Sequence, residues 1–399
     1  MRRFLIMLLL CLSPPLAAEP SLWTERPARE LLAAIDSAAA HGLDPEDYGR
    51  ARLALALAAP DPAQVAGHAA AGFRALATDL AGGRVSRSAR AGWHMEGQPM
   101  TPARLDALER DALAGTGVAA VLEGLLPPYP QYRALARRYA ATPADETATR
   151  DLLRVNLERW RWMPRHPGPS HLLVNVAAQE LIHLREGMEP VRHRVIVGRP
   201  RTPTLQFSAL ATGVVLNPPW VVPQSIIRES VGALIRTSPA AARARGFSWT
   251  GSGAGLVVTQ APGPNNALGE VKIDMPNPHG MFLHDTPNRA LFARRERALS
   301  HGCIRTEGIR ALAARMLEGT PGWDPARIDA VIATRRTTVV PLARPLPAHI
   351  GYFAAEALPD GRLLRHADIY GRDAAILAAL GGGTAPDRPA SRDGESGCG

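Results

Sequence analysis

The sequence predicts an α+β protein: an all-α region first, then a mainly-β region with a few helices and an inserted lid. Two observations carry this. Residues 26–140 are rich in alanine and leucine and hold no run of β-branched residues, whereas β-rich segments recur from about Pro164 onward. At 399 residues, 46% hydrophobic and 21% charged, the chain suits two folded domains and excludes wholesale disorder. Its 3 cysteines are too few to staple a fold of this size, so apolar burial must hold it.

The amino terminus reads as an export signal. Arg2 and Arg3 precede an apolar run, Phe4 to Leu12, and small residues lead to Ala18, which predicts a signal peptide over 1–18. The run is too short to span a bilayer, and no later segment reaches the roughly 18 apolar residues of a membrane helix, so no transmembrane segment is expected. Cys11 follows Leu10, a residue of the wrong size for lipid-anchor processing, which favours soluble export.

Residues 19–145 form the expected helical domain. Leu31, Leu32 and Ile35 keep helical spacing ahead of His41-Gly42-Leu43-Asp44-Pro45, a glycine stop and a new start. Further helical stretches cover Val65 to Leu80, Pro102 to Leu113 and Tyr129 to Ala141, and Thr142-Pro143-Ala144-Asp145 reads as a linker. Nothing in this half points to chemistry.

Residues 146–380 form the expected second domain. Strands are predicted over Leu172–Val176, Val191–Val197, Thr212–Leu216, Leu256–Thr259, Glu270–Ile273, Gly280–His284, Thr337–Leu342 and Ile350–Glu356. Between them, residues 223–255 hold one amphipathic helix (Ile226, Ile227, Val231, Leu234) and a glycine-rich exit. An insertion of that length is commonly a lid. Residues 381–399 read as a disordered, glycine-rich tail.

Export leaves Cys303 and Cys398. A single disulfide is the plain reading, but Cys398 lies in the tail, and Cys303 lies in the most histidine-dense segment, so Cys303 is expected to be a lone thiol kept for chemistry. Ile309, Leu312, Ala313, Met316 and Leu317 predict a helix over about Thr306 to Glu318, which sets Cys303 in a turn just ahead of a helix amino terminus. There the backbone N–H groups and dipole would favour a thiolate and a developing oxyanion. Histidine is the natural base. His301 is too close in sequence to reach back easily and suits the shaping of the turn. His284 ends a separate strand and can be fixed beside the cysteine by sheet pairing, with Asp285 turned to the opposite face. His279 reads as structural. No metal is expected, because one cysteine and scattered histidines lack the paired spacings of a zinc site, and no cofactor is implied.

The formal charge of +9 suggests an anionic partner without choosing one. The basic residues are scattered without aromatic interleaving, and the export signal argues against nucleic acid. Of the 46 basic residues only Lys272 is lysine, a pattern that reads as genomic base composition.

Ser300-His301-Gly302-Cys303-Ile304-Arg305, with His284 upstream, resembles the signature of the L,D-transpeptidases of bacterial cell walls. Asn217-Pro218-Pro219-Trp220-Val221-Val222-Pro223, Pro262-Gly263-Pro264-Asn265-Asn266-Ala267-Leu268-Gly269 and Leu283-His284-Asp285-Thr286 resemble further blocks of the large periplasmic branch of that family, and His41-Gly42-Leu43-Asp44-Pro45 resembles its helical scaffold. The resemblance implies a periplasmic enzyme that attacks peptidoglycan tetrapeptide stems. Cys303 would be the nucleophile and His284 the base, with oxyanion donors near Gly302 and Cys303. D-alanine would leave, and a diaminopimelate amine of a second stem would complete a three-to-three crosslink. Arg305 would hold a stem carboxylate or the carbonyls of the turn, and Asn266 and Gly269 would line the site. The branch often carries a small peptidoglycan-binding module between scaffold and catalytic domain, and only about Ala141 to Arg150 separates the two here. A cysteine peptidase of the same fold that hydrolyses crosslinks, and a non-catalytic wall-binding scaffold protein, are the competing readings.

Overall fold

The computed structural model describes residues 23–59, 61–95 and 97–381. The expected signal peptide, and the tail beyond Gly381 with Cys398, lie outside the described residues.

The first half is helical as expected: α1 (Glu25–Ala38), α2 (Arg50–Ala58), α3 (Pro62–Gly82), α4 (Pro102–Asp111), α5 (Val118–Glu123) and α6 (Pro130–Ala140). Proline just inside the helix and a capping side chain before it start two of them. Asp61 accepts from the Ala63 N–H ahead of α3, and Thr101 from the Arg104 N–H ahead of α4. Leu31 and Ile35 of α1 are fully buried against α3 where Gly72 lets the backbones close up; a Cβ there would lie 2.8 Å from the Tyr48 carbonyl.

The stretch read as a linker runs straight into α7 (Thr147–Arg161), whose residues from Val155 to Arg161 are all buried. Glu158 and Arg161 pair at 2.9 Å inside the protein. Glu158 also accepts from the Val85 N–H at 2.8 Å and the Trp162 indole at 3.2 Å, bonds that a buried ion pair needs to offset desolvation. On its other side Trp160 stacks on Phe353 at 4.0 Å, and Asn156 accepts from the Ala354 N–H at 2.8 Å.

The strands are β1 (Ser170–Asn175), β2 (Glu180–Arg185), β3 (Val191–Gly198), β4 (Ser208–Leu216), β5 (Trp220–Val221), β6 (Phe247–Thr250), β7 (Val257–Gln260), β8 (Val271–Asp274), β9 (Leu283–His284), β10 (Ala298–Ser300), β11 (Ile304–Thr306), β12 (Thr338–Gly351), β13 (Ala355–Ala357) and β14 (Leu363–Arg365). The main sheet runs β10-β3-β11-β9-β8-β4-β12-β1-β2, and β2 also pairs with β3, which closes the sheet on itself and leaves β10 as an edge strand beside β3. The inserted segment is helical from Gln224 to Ala244 and leads into the small sheet β5-β7-β6. No described helix is long and apolar enough to cross a membrane.

Three expectations are corrected. The strand over Gly280–His284 is only Leu283–His284, because Asn277 ties its side chain to the Met275 and Met281 carbonyls and holds residues 275–281 in a loop. Thr337–Leu342 and the start of Ile350–Glu356 belong to one long strand, β12, with a register shift between Pro341 and Leu346. The helix expected over Thr306–Glu318 begins only at Ile309, since Ile304–Thr306 pairs into the sheet and Gly308, at φ 64°, makes the turn.

Candidate functional site

Three neighbouring strands, β11, β9 and β8, build the site. Arg305 pairs with His284 in parallel register, and His284 pairs with Lys272 in antiparallel register. Side chains paired across strands share a face, and alternate residues along each strand do too. Phe282, His284, Arg305, Lys272 and Cys303, which stands just before β11 and across from Phe282, therefore share one face. The helix-terminus argument for Cys303 does not hold, because a strand rather than a helix follows it. What surrounds the sulfur instead is the Phe282 N–H, which donates to Sγ at 3.4 Å, and the Gly280 carbonyl oxygen at 4.0 Å.

Cys11 and Cys398 both lie outside the described residues.

The turn that carries Cys303 is tied down from several directions. The Ser300 hydroxyl donates to the Cys303 carbonyl at 2.6 Å and accepts from the Gly302 N–H at 3.1 Å. Thr204 Oγ1 accepts from the Gly198 N–H at 2.9 Å and donates to the Gly302 carbonyl at 2.7 Å. Gly302 sits at φ 118°, a conformation that favours glycine. Its amide is already engaged with Ser300, so in this arrangement it does not point into the site as an oxyanion donor. His301 faces the inserted segment: its Nε2 lies 2.7 Å from Glu229 Oε2 and 2.5 Å from Arg199 Nη2, which also donates to Glu229 at 3.3 Å.

His284 is buried, and burial foremost, then the Arg305 charge, pushes its pKa down to about 3. The ring is neutral at neutral pH and able to accept a proton. Its Nδ1 is buried without a hydrogen-bond partner; the Asp285 and Leu268 backbone lies near enough only to offset part of the shift. Asp285 is engaged elsewhere, accepting from the Glu270 N–H at 3.1 Å and from Arg289 at 3.2 Å. Arg305 meets no carboxylate among the described residues, and its buried Nε has no partner.

Asn266 is corrected as a substrate ligand. It is fully buried and spends its amide on the Pro218, Gln260 and Ala261 carbonyls while accepting from the Leu268 N–H. It fastens the loop before β8. Gly269 likewise supports the site from behind: at φ 64° a Cβ would lie 2.5 Å from Asp285, so glycine lets that loop close on the residue after His284. The His279 ring packs against that of His94 of the helical half, with centroids 4.4 Å apart and planes tilted by 42°. A cavity of about 740 Å³ beside Trp323, between helices Ile309–Met316 and Pro325–Ala333, is lined by none of the candidate residues. No group of three or more metal-ligating side chains occurs among the described residues. Thr204, Arg199 and Glu229 were not foreseen; they become visible only when the residues after β3 and the inserted segment are folded against the turn.

A helical domain joined to a mainly-β domain, with cysteine, histidine and arginine on one face of adjoining strands, defines the class. Residues 169–328 match the model of the L,D-transpeptidase catalytic-domain family, and residues 18–138 match that of a scaffold domain. A Haemophilus influenzae protein provisionally assigned as an L,D-transpeptidase is 34% identical over 247 residues, 57% of this chain and 49% of that one, so the match spans about half of the relative. Two solved structures overlap more loosely, each covering 47% of this chain and 51% of its own with a TM-score of 0.23. They are an Enterococcus faecium L,D-transpeptidase C442S mutant at 11% identity and an Ldtfm–avibactam carbamoyl enzyme at 12%. Neither overlap is close enough to bear on fold or chemistry.

Proposed function

We propose that this protein is a periplasmic L,D-transpeptidase that acts on peptidoglycan tetrapeptide stems through a thioester on Cys303. The observation that carries the reading is the row on the sheet: Cys303, His284 and Arg305 share one face of adjoining strands. With Cys303 reduced, His284 takes the thiol proton as sulfur attacks the carbonyl between stem residue three and the terminal D-alanine. The same proton passes to the departing D-alanine amine, leaving a thioester. An amine of a second stem then attacks, its proton moves to His284, and the sulfur leaves as the three-to-three link forms. Arg305, half-buried and with no carboxylate partner among the described residues, offers its fork to a stem carboxylate. This favours the substrate role over bonding to the turn, since no carbonyl of the turn meets it.

Hydrolysis of the thioester is the second reading. The contact of Glu229 with His301 closes the lid segment onto the nucleophile's turn, and shielding from water favours transfer. Incubating the reduced protein with tetrapeptide stems should give a Cys303 adduct lacking D-alanine by mass spectrometry, and stem dimers as product. Trimmed monomers alone would establish the hydrolase, and full product from Cys303→Ala would refute both.

A further inference from the structure

A base-composition bias explains why arginine dominates, but it acts on every codon and does not say why one position escapes it. That position, Lys272, is on the catalytic face beside His284. Strand alternation puts Asp274 on the same face, and the two line a cavity of about 150 Å³ together with Asn277, Gly280 and Phe282. The Gly280–Phe282 wall of that cavity is the one that touches Cys303: the Phe282 N–H reaches Sγ at 3.4 Å and the Gly280 carbonyl lies 4.0 Å from it.

Neither charge is neutralised by a neighbour. Lys272 Nζ lies 4.2 Å from the centre of the Phe282 ring, and no hydrogen-bond acceptor or carboxylate meets it among the described residues. Asp274 has the Thr212 hydroxyl at 3.4 Å and no cationic partner among the described residues. A cation and an anion on one strand, both lining one cavity, complement a ligand that carries both an anionic and a cationic group. The cavity has room for about five water-sized groups, the heavy atoms of an α-amino-acid head. A compact ammonium fits such a space, whereas a planar guanidinium would fill it.

We infer that Lys272 and Asp274 form a zwitterion subsite beside Cys303, which takes the free α-amino-acid end of the side chain of the stem residue whose carbonyl the cysteine attacks. The inference rests on the transpeptidase reading. A side chain of this chemistry is that of diaminopimelate, with ammonium and carboxylate on one carbon; a lysine side chain presents the ammonium alone.

Calorimetric binding to the full-length Cys303→Ala protein tests the subsite without chemistry. A tripeptide stem ending in diaminopimelate should bind roughly tenfold to a hundredfold more tightly than its lysine counterpart or its side-chain amide. Lys272→Met should erase that difference by weakening only the diaminopimelate peptide. Asp274→Asn should weaken both ammonium-bearing peptides. Equal affinities in the parent protein overturn the inference, and that comparison needs no variant at this site. So does a Lys272→Met protein, still folded by its thermal transition, that weakens both peptides equally. With the reduced parent protein, adducts formed equally well from both stems would sink the subsite and leave the transpeptidase reading standing. Retained discrimination in binding with no adduct from any stem would do the reverse.

Discussion

Lowering the pH from 7 to 5 should remove much of this protein's stability through three histidines. His183, His284 and His349 are 2%, 5% and 4% exposed. Burial is the main cause that pushes their pKa values down to about 4, about 3 and about 4, with nearby Arg315 adding for His183, Arg305 for His284 and His171 for His349. In the folded protein all three are neutral at pH 5, whereas in the unfolded chain they titrate near 6.5. A folded pKa below the unfolded one gives stability that is fully present above about pH 6.5 and lost progressively as the pH falls toward the folded value. Over the interval from about 6.5 to 5, each ring costs about 2 kcal/mol, and the three together about 6 kcal/mol. That is comparable with the whole stability of a typical domain, about 5–15 kcal/mol. Guanidinium unfolding at pH 7, 6 and 5, followed by tryptophan fluorescence and circular dichroism, measures the loss. His284→Gln should reduce it by about a third. An unfolding free energy that stays flat to within about 1 kcal/mol across the interval would refute the burial argument.

Gly269→Ala should cost at least about 1–3 kcal/mol and lower turnover, because its Cβ cannot coexist with Asp285 and the displaced strand carries His284; a parent-like melting temperature would contradict this. Glu229→Gln should speed alkylation of Cys303 by iodoacetamide a few-fold, the modest size expected of its exposed ion pair with Arg199. An unchanged rate would mean that the inserted segment is held by other contacts.

What could be read from the chain divides along physical lines. The helical half was legible because Leu31, Leu32 and Ile35 and their successors repeat at helical spacing, and local pattern suffices there. Most strands were legible from β-branched runs, but Glu180–Arg185 was not, since its alternation is interrupted by His183 and charged ends and only pairing with β1 and β3 makes it a strand. Cys303 and His284 stood out because few residue types can act as nucleophile and base. The surroundings of Cys303 were misread because Ile304–Thr306 has too few residues to announce itself, and its strand state comes from β3 and β9 on either side. Asn266 drew attention as a polar residue in a recognisable block, yet four internal hydrogen bonds turn it inward. The meaning of Lys272 lay in its register opposite His284, a long-range fact.

The burial of α7 has a consequence for motion. A helix whose Trp160 and Asn156 grip residues 353 and 354 while its Glu158 grips residue 85 leaves no place for a hinge between the two halves. Rotating one half against the other would expose the Glu158–Arg161 pair and the ring stack together. Whatever surface the helical half rests on is thereby held at a constant distance and angle from Cys303, so the amino-terminal helices serve as a fixed ruler for the chemistry rather than as a tether.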